Sequence, residues 1–431
     1  MSERARAHHG LRGLAEQLGP VAAGLVVLGL GSFAFLSIAG RALGPVDFAP
    51  VATLWVLFNA AALAFFQPIE QELGRTTAHR VAHGLGARPV LIRCLLVGVG
   101  VLAALALVVL LLRQKISVEA FDGRTALASL LLLGLLGLLA EHVLRGLFSG
   151  NERFGRYGWQ LACDGILRTV LPGVVVLASM ATSTSLSAAL VVAPLLAAGL
   201  TAGRVPQLAR PGPPIAWREL LPALGTLTAA GILSQLIVNA APVAAQVLST
   251  PEEADRAGVF IAALVMTRIP LFFFGAVQAT FLPTLARLNA VGDRHGFLRQ
   301  TWLVLALAGG AGGAFVVGLA AIGPWVLRLL YGPDFASDRA VLVVLGLGAA
   351  GYMVAQALAQ ALIALRAYRA PLYAWAAGSA VFFATLAVPL SLEARVSMAL
   401  LCGSAVATAV MGLLLRSVLR VTTPGTHRPA D

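Results

Sequence analysis

Hydrophobic residues run along this chain in blocks. Charge-poor stretches long enough to cross a bilayer, about 20 residues of apolar helix, occur at 20–40, 48–68, 91–112, 125–147, 157–180, 185–203, 219–248, 257–284, 301–328, 339–364, 370–391 and 396–416. The pattern predicts an all-α integral membrane protein of about twelve transmembrane helices. Within the uncharged stretch 169–203 the break rests on the polar run ATSTS at 181–185.

The charges between these blocks predict an orientation. Alternate connections hold Arg4, Arg6 and Arg12; Arg75, Arg80 and Arg88; Arg145, Arg153 and Arg156; Arg204, Arg210 and Arg218; Arg287, Arg294 and Arg299; Arg366 and Arg369; and Arg416, Arg420 and Arg428. The other set holds Arg41; Arg113, Lys115 and Arg124; Arg256; Arg328 and Arg339; and Arg395. Twenty basic residues against eight place both termini in the cytoplasm by the positive-inside rule.

The loop RVPQLARPGPPIAWR, 204–218, with four prolines and three arginines, divides the blocks six and six. The expected organisation is a cytoplasmic segment 1–19, an N-lobe 20–203, this linker, a C-lobe 219–418 and a cytoplasmic tail 419–431. A shift of 212 residues superposes Phe48 on Phe260, Arg75 on Arg287, His83 on His295 and Gly84 on Gly296. Two halves with an even number of spans would share one orientation, about an axis along the membrane normal.

Composition sharpens the class. The 431 residues are 59% hydrophobic and 12% charged, with mean hydropathy +0.87, outside the balance of soluble domains. The net charge of +12 comes from 30 arginines and the single Lys115. Most of these lie between spans without a basic stripe or an aromatic platform, so nucleic acid is not an expected partner. Cys94, Cys163 and Cys402 lie in or beside apolar blocks without CxxC or Cys/His spacing, and read as small hydrophobes with no disulfide or metal framework. The basic N-terminal segment before the run Gln17–Gly40 reads as preceding an uncleaved first helix, because the run is long and further spans follow. Glycine clusters at 309, 310, 312 and 313 and at 346, 348 and 351 read as helix-packing seams. Prolines 172, 194, 242 and 270 each remove a helix hydrogen bond and favour kinks.

Three constellations remain. Asp164 and Arg168 are four residues apart in the fifth span and share a helix face. They fit either a self-neutralising pair or a cavity site with Arg168 meeting an anion and Asp164 as a coupling or charge-tuning acid. Arg268, in the eighth span, has no acid within a turn. A charge there calls for a hydrated lumen or a distant partner, and guanidinium suits a pyrophosphate. At the expected cytoplasmic edge, QPIEQELGR (67–75) and EHVLRGLFSGNERFGRY (141–157) present Glu70, Arg75, Glu141 and Arg145. Those four read as contacts to anionic lipid or to an entering headgroup.

The segments QPIEQELGR, RGLFSGNERFGRYGWQLACDGILR, TRIPLFFFGAVQATFLPTLARL and LLYGPDF resemble the polysaccharide and O-antigen flippases of the multidrug/oligosaccharidyl-lipid/polysaccharide superfamily, over nearly the whole chain. That resemblance implies two six-helix lobes around a central cationic cavity, alternating access, and export of an undecaprenyl-pyrophosphate-linked sugar to the outer leaflet. It casts Arg168 and Arg268 as cavity arginines for the pyrophosphate and Asp164 as the coupling acid. The fourteen-span pattern of lipid II flippases is absent from the sequence, which weighs against a peptidoglycan substrate.

The expected function is therefore a flippase of the bacterial cytoplasmic membrane, without catalytic residues, metal or cofactor. Its partners would be a lipid-linked oligosaccharide, the bilayer and the glycosyltransferases or polymerase of the same pathway. Two alternatives stay open: a cation-coupled multidrug exporter of the same superfamily, and a membrane glycosyltransferase or polymerase. The second of these would want carboxylates on sizeable external loops, whereas Glu252, Glu253, Asp255, Asp334 and Asp338 sit in short ones.

Overall fold

The computed structural model describes residues 3–421 except 251–252, 272–273, 275–280, 282–283, 286–287, 290–291, 366 and 368. Arg287, Arg366, Glu252, Arg428, the tail from 422 and parts of the eighth predicted span lie outside the described residues. The described residues are helical, with no strand among them.

Helix α1 spans Glu3–Ala61 and is broken at Gly44 (φ 72°, ψ 174°). A glycine in left-handed space followed by Pro45, which has no N–H to continue the ladder, ends one helix and starts the next. That turn separates the first two predicted spans. A π-helical turn, Ala62–Phe66, leads into α2, Gln67–Ala82. Here Pro68 cannot donate to the preceding turn, and the wider turn accommodates its ring. Next come α3 (Arg88–Leu111), α4 (Arg113–Phe121), α5 (Thr125–Gly150), α6 (Phe154–Leu177) and α7 (Ser183–Thr201). The break read from ATSTS is a capping box: Thr182 Oγ1 accepts from Ser185 N at 3.1 Å, and Thr182 N donates to Ser185 Oγ at 2.9 Å.

The second half of the chain contains α8 (Val205–Leu208), α9 (Trp217–Leu248), α10 (Ala254–Met266), α11 (Arg294–Tyr331), α12 (Arg339–Ala364), α13 (Arg369–Leu386) and α14 (Leu392–Val421). Nine helical stretches among the described residues are long and apolar enough to cross a membrane, the first of them containing the Gly44 turn. Leu107, Leu110, Leu111, Trp302, Leu303 and Val317 are more than half exposed. In water such faces would be a liability; in a multi-pass membrane protein they are the lipid surface.

Two compact units emerge. Unit 1 comprises Met1–Gln235, Gln246–Ala262 and Arg328–Phe335, and unit 2 comprises Leu236–Ala245, Ala263–Leu327 and Ala336–Asp431. In unit 1, α1 packs along α6 with the two backbones touching. A Cβ on Gly24 would stand 2.4 Å from Gly158 O, one on Gly31 2.0 Å from Gly165 O, and one on Gly165 2.5 Å from Val27 O. The seven-residue repeat of glycine on both helices lets them meet without side chains between them. A second seam joins α2 to α5, where a Cβ on Gly146 would lie 2.7 Å from Glu70 O and one on Gly150 2.7 Å from Gly74 O. Cys94 is fully buried in the apolar core beside them with Phe66, Leu73, Leu135 and Leu139, as its sequence context implied.

The segment LLYGPDF also belongs to unit 1. Tyr331 and Phe335 are buried and pack on Phe48, at ring-centroid distances of 5.4 and 5.6 Å. Ser37 Oγ donates to Leu330 O, and Arg41 donates to Leu329 O and Leu330 O. These donors satisfy carbonyls that the C-terminus of α11 leaves open.

In unit 2, α12 and α13 pack on α14. Gly378 and Gly403 face each other, each with the other's carbonyl within 3.0 Å of an added Cβ. Of the glycines read as seams, Gly312 meets Ala350, Gly346 meets Leu319, Gly348 meets Leu400 and Gly351 meets Ser404. Around Gly309, Gly310 and Gly313 no described atom comes within 4 Å of an added Cβ, so those three are not in a seam among the described residues. The internal repeat is also looser than its register suggests. Gly84 has φ 70°, but Gly296 is helical, and the left-handed glycine of the second loop is Gly292 (φ 72°).

A substitution at the α1–α6 seam should be costly. Gly165→Val is expected to lose about 3 kcal/mol or more through overpacking against backbone, read as a lowered melting temperature of the detergent-purified protein. At Gly100, where an added Cβ meets nothing, alanine should be neutral or stabilising by up to about 1 kcal/mol.

Candidate functional site

The polar interior of unit 1 is a product of the two glycine seams. On α6, Gln160, Asp164 and Arg168 repeat every four residues and form one stripe, with Tyr157 a turn before them. On α5, Glu141, His142 and Arg145 face that stripe. Helix α2 contributes Glu70, and α1 contributes Ser32.

Asp164 is fully buried and is the hub. Arg168 grips it in fork geometry, Nε to Oδ1 and Nη2 to Oδ2, both at 2.9 Å. The third guanidinium nitrogen of Arg168 donates to Ser32 Oγ at 3.2 Å, and its Cζ lies 5.5 Å from the Phe58 ring centre. Arg145 approaches from the other side: Nη2 is 3.8 Å from Asp164 Oδ2 and 3.0 Å from Glu141 Oε1, while Nε donates to Gln160 Oε1 at 2.8 Å. Ion pairs in so low a dielectric hold only when geometry and further hydrogen bonds offset the desolvation of each charge. The Asp164–Arg168 fork meets that condition. Glu141 Oε2 and Gln160 Nε2 do not, since neither has a hydrogen-bond partner among the described residues.

Toward the α2 side the network continues through His142. Its Nδ1 is 2.8 Å from Leu138 O, a contact that needs the proton on Nδ1. Nε2 then faces Glu70 Oε2 at 3.9 Å, and Glu70 Oε1 accepts a hydrogen bond from Tyr157 OH. Three carboxyl groups, Glu70, Glu141 and Asp164, thus share a buried site with two guanidiniums and the His142 ring. Among the described residues no group of three or more His, Cys, Asp or Glu side chains is placed to hold a metal ion.

Arg268 is built differently. Pro270 cannot extend α10 past Met266, so Thr267 and Arg268 form a turn there. The side chain is buried in unit 2, with Nη1 donating to Asn239 Oδ1 at 3.0 Å and Nη2 to Val238 O. Its hydrogen-bond acceptors are neutral oxygens, and it makes no ion pair among the described residues.

No family model matches the chain. Two uncharacterized proteins of Mycobacterium tuberculosis are each 27% identical to it, one over 399 residues (89% of this chain and 88% of its own length) and the other over 391 (88% and 86%). Solved structures give a more informative likeness. An inward-facing multidrug resistance MATE family transporter of the MOP superfamily superposes with a TM-score of 0.67 at 15% identity, over 93% of this chain and 96% of its own. A mutant of the Vibrio cholerae MATE transporter VcmN gives 0.66 at 16% identity, over 96% and 98%. The fold is that of the MATE transporters. An outward-facing MATE structure also superposes, at 0.64 and 16% identity over 94% of each chain.

Within this fold the residues singled out from sequence fall into three places. Asp164 and Arg168 form the pair that their spacing implied. Glu141 and Arg145, read from sequence as a solvated edge, are 1% and 6% exposed and join that pair instead; Glu70 stands at its margin. Arg75 alone of that group keeps an exposed side chain, paired with the buried Glu72 through Nη2–Oε1 at 2.6 Å. Arg268 lies in the other unit. His142, Gln160, Tyr157 and Ser32 were not singled out. The four-residue ladder Gln160-Asp164-Arg168 beside Glu141-Arg145 was the available clue, but linking the ladders required the α5–α6 packing.

Removing the hub should leave the buried Arg168 without its carboxylate and Arg145 with Glu141 alone. Asp164→Leu is expected to cost about 3–5 kcal/mol, read by thermal unfolding in detergent. Adding Arg168→Met should restore part of that loss, a coupling of about 1 kcal/mol or more. Independent, additive losses would contradict the hub geometry.

Proposed function

We propose that the chain is a membrane transporter working by alternating access, and that its cargo is a polyprenyl-pyrophosphate-linked oligosaccharide moved from the inner to the outer leaflet of a bacterial cytoplasmic membrane. The observation that carries the cargo assignment is Arg268. Among the described residues this buried guanidinium is held by an amide oxygen and a carbonyl and has no counter-ion, and a charge kept so at membrane depth is costly. A ligand that brings its own negative charge repays that cost, and a pyrophosphate offers oxygens in the geometry guanidinium prefers. Arg168 supplies the second cation of this reading, with Asp164 as its charge-tuning partner. The lipid tail would stay in the bilayer while the headgroup crosses, so the protein performs no covalent chemistry.

A second reading has its own observation. The unit 1 network holds three carboxyl groups against two guanidiniums, with His142 Nε2 facing Glu70 Oε2 at 3.9 Å. That arrangement favours a cation-coupled exporter of small cationic compounds, in which Asp164, Glu141 and Glu70 couple a proton to cargo movement.

Proteoliposomes discriminate the two. Translocation of a polyprenyl-pyrophosphate sugar should fall at least about tenfold, or 1.4 kcal/mol of differential binding, in Arg268→Ala and be partly kept in Arg268→Lys. Undiminished translocation in the Arg168→Ala, Arg268→Ala double variant would sink the flippase assignment. Proton-driven efflux of a cationic dye that vanishes in Asp164→Asn would establish the exporter instead.

A further inference from the structure

A second arginine cluster lies outside the buried network, at the end of unit 1 that loop charge assigns to the cytoplasm. It lines a cavity of about 480 Å³ bounded by the α2–α3 loop, the α5–α6 turn and the segment after α8. Arg153, Arg156 and Arg210 are among its lining residues, with Asn151 and Gln207 as neutral polar neighbours. None of the described residues lining it is acidic. None of the three arginines makes an ion pair among the described residues, although Glu152 sits between two of them in sequence.

The chain is shaped to hold these arginines together. After Gly150, Asn151 Nδ2 donates to Leu147 O at 2.9 Å, Glu152 takes a left-handed turn (φ 56°), and Arg153 N reaches back to Phe148 O at 2.8 Å. This tight reversal puts Arg153 and Arg156, three residues apart, at the same mouth. Arg210 is fixed by its backbone: Arg88 N donates to Arg210 O at 3.0 Å, and Gly86 is so close that a Cβ there would stand 1.9 Å from Pro211 O. Arg80 straps the same segment down, donating from Nε to Gly86 O at 2.9 Å and from Nη2 to Pro213 O. Three like charges are therefore preorganised around one concave space, an arrangement that repels itself unless an anion occupies it.

Arg156 also borders a second cavity of about 380 Å³, shared with Trp159, Leu200, Thr201 and Gly203. Trp159 and Leu200 are 60% and 70% exposed. Tryptophan beside arginine at a helix end marks the level where headgroups meet acyl chains. One arginine thus links a polar, cationic cavity to an apolar, membrane-facing one.

We propose that the Arg153–Arg156–Arg210 cavity binds the phosphate of an anionic membrane lipid whose acyl chain lies along Trp159 and Leu200. The site is independent of the cargo. It also moves the headgroup contact read from sequence away from the buried Glu141 and Arg145 to arginines beyond the end of α5. Because the segment 204–218 forms one wall, an occupied site would tie that segment to the membrane surface.

Native mass spectrometry of the full-length protein in detergent, offered equal phosphatidylglycerol and phosphatidylcholine, tests this. Wild type should retain phosphatidylglycerol preferentially, and Arg153→Gln, Arg156→Gln, Arg210→Gln should lose the preference by about fivefold for each arginine removed. Removing equal charge elsewhere, with Arg113→Gln, Lys115→Gln and Arg339→Gln, should leave it intact. If the triple glutamine variant does not fold, Arg210→Gln alone should show the single-residue effect. Trp159→Ala should weaken phosphatidylglycerol retention without changing the binding of inorganic phosphate itself. Equal retention of both lipids by wild type, or a preference that survives the triple variant, overturns the site. Binding of inorganic phosphate with no lipid retention overturns its assignment to lipid.

Discussion

Asp164 has no exposed surface, and it is ionically tied to two arginines from two helices. Burying that charge in an apolar bundle is feasible only if its counter-charges arrive at fixed positions, since leaving any one unpaired costs several kcal/mol. The requirement reaches outward. Arg168 must be locked by Ser32, so α1 and α6 must touch backbone to backbone, and they do so because Gly24, Gly31, Gly158 and Gly165 present no side chain there. Arg145 must come from α5, whose position against α2 depends in turn on Gly146 and Gly150.

The two units treat intramembrane charge in opposite ways. Unit 1 gathers carboxyls and guanidiniums into one continuous network with unmet hydrogen-bond capacity at Glu141 and Gln160. Among the described residues unit 2 holds Arg268 against the neutral oxygens of Asn239 and Val238. Solved structures with this fold include both an inward-facing and an outward-facing one.

Legibility followed the range of the interaction. The helix break at Gly44-Pro45, the cap at Thr182 and the Asp164–Arg168 pair are set by residues within a turn or two of each other; the sequence pattern places a gap between spans 20–40 and 48–68, a break at 181–185 and the two charges on one helix face. The glycine clusters were legible only in part: Gly346 and Gly348 do meet neighbours, while Gly309 and Gly310 do not. Glycine allows close approach without saying what approaches. Glu141 and Arg145 were misplaced at a solvated edge because they follow a long apolar run and precede a turn. Nothing local reveals that Gln160 and Asp164 of the next helix cover them.

By itself, then, the sequence determined the class of solvent this protein needs and the helices that meet it. Block hydrophobicity, breakers and caps act through local free energies that any neighbourhood would leave in place. Only the tertiary structure decided which charges share a site. Ion pairing depends on distances of 3–4 Å between helices, and those distances come from backbone contacts at glycines far apart in the chain. The same holds for the rim cavity: Arg210 stands beside Arg153 and Arg156 because Arg80 and Gly86 hold the segment carrying it, a relation no spacing along the chain encodes.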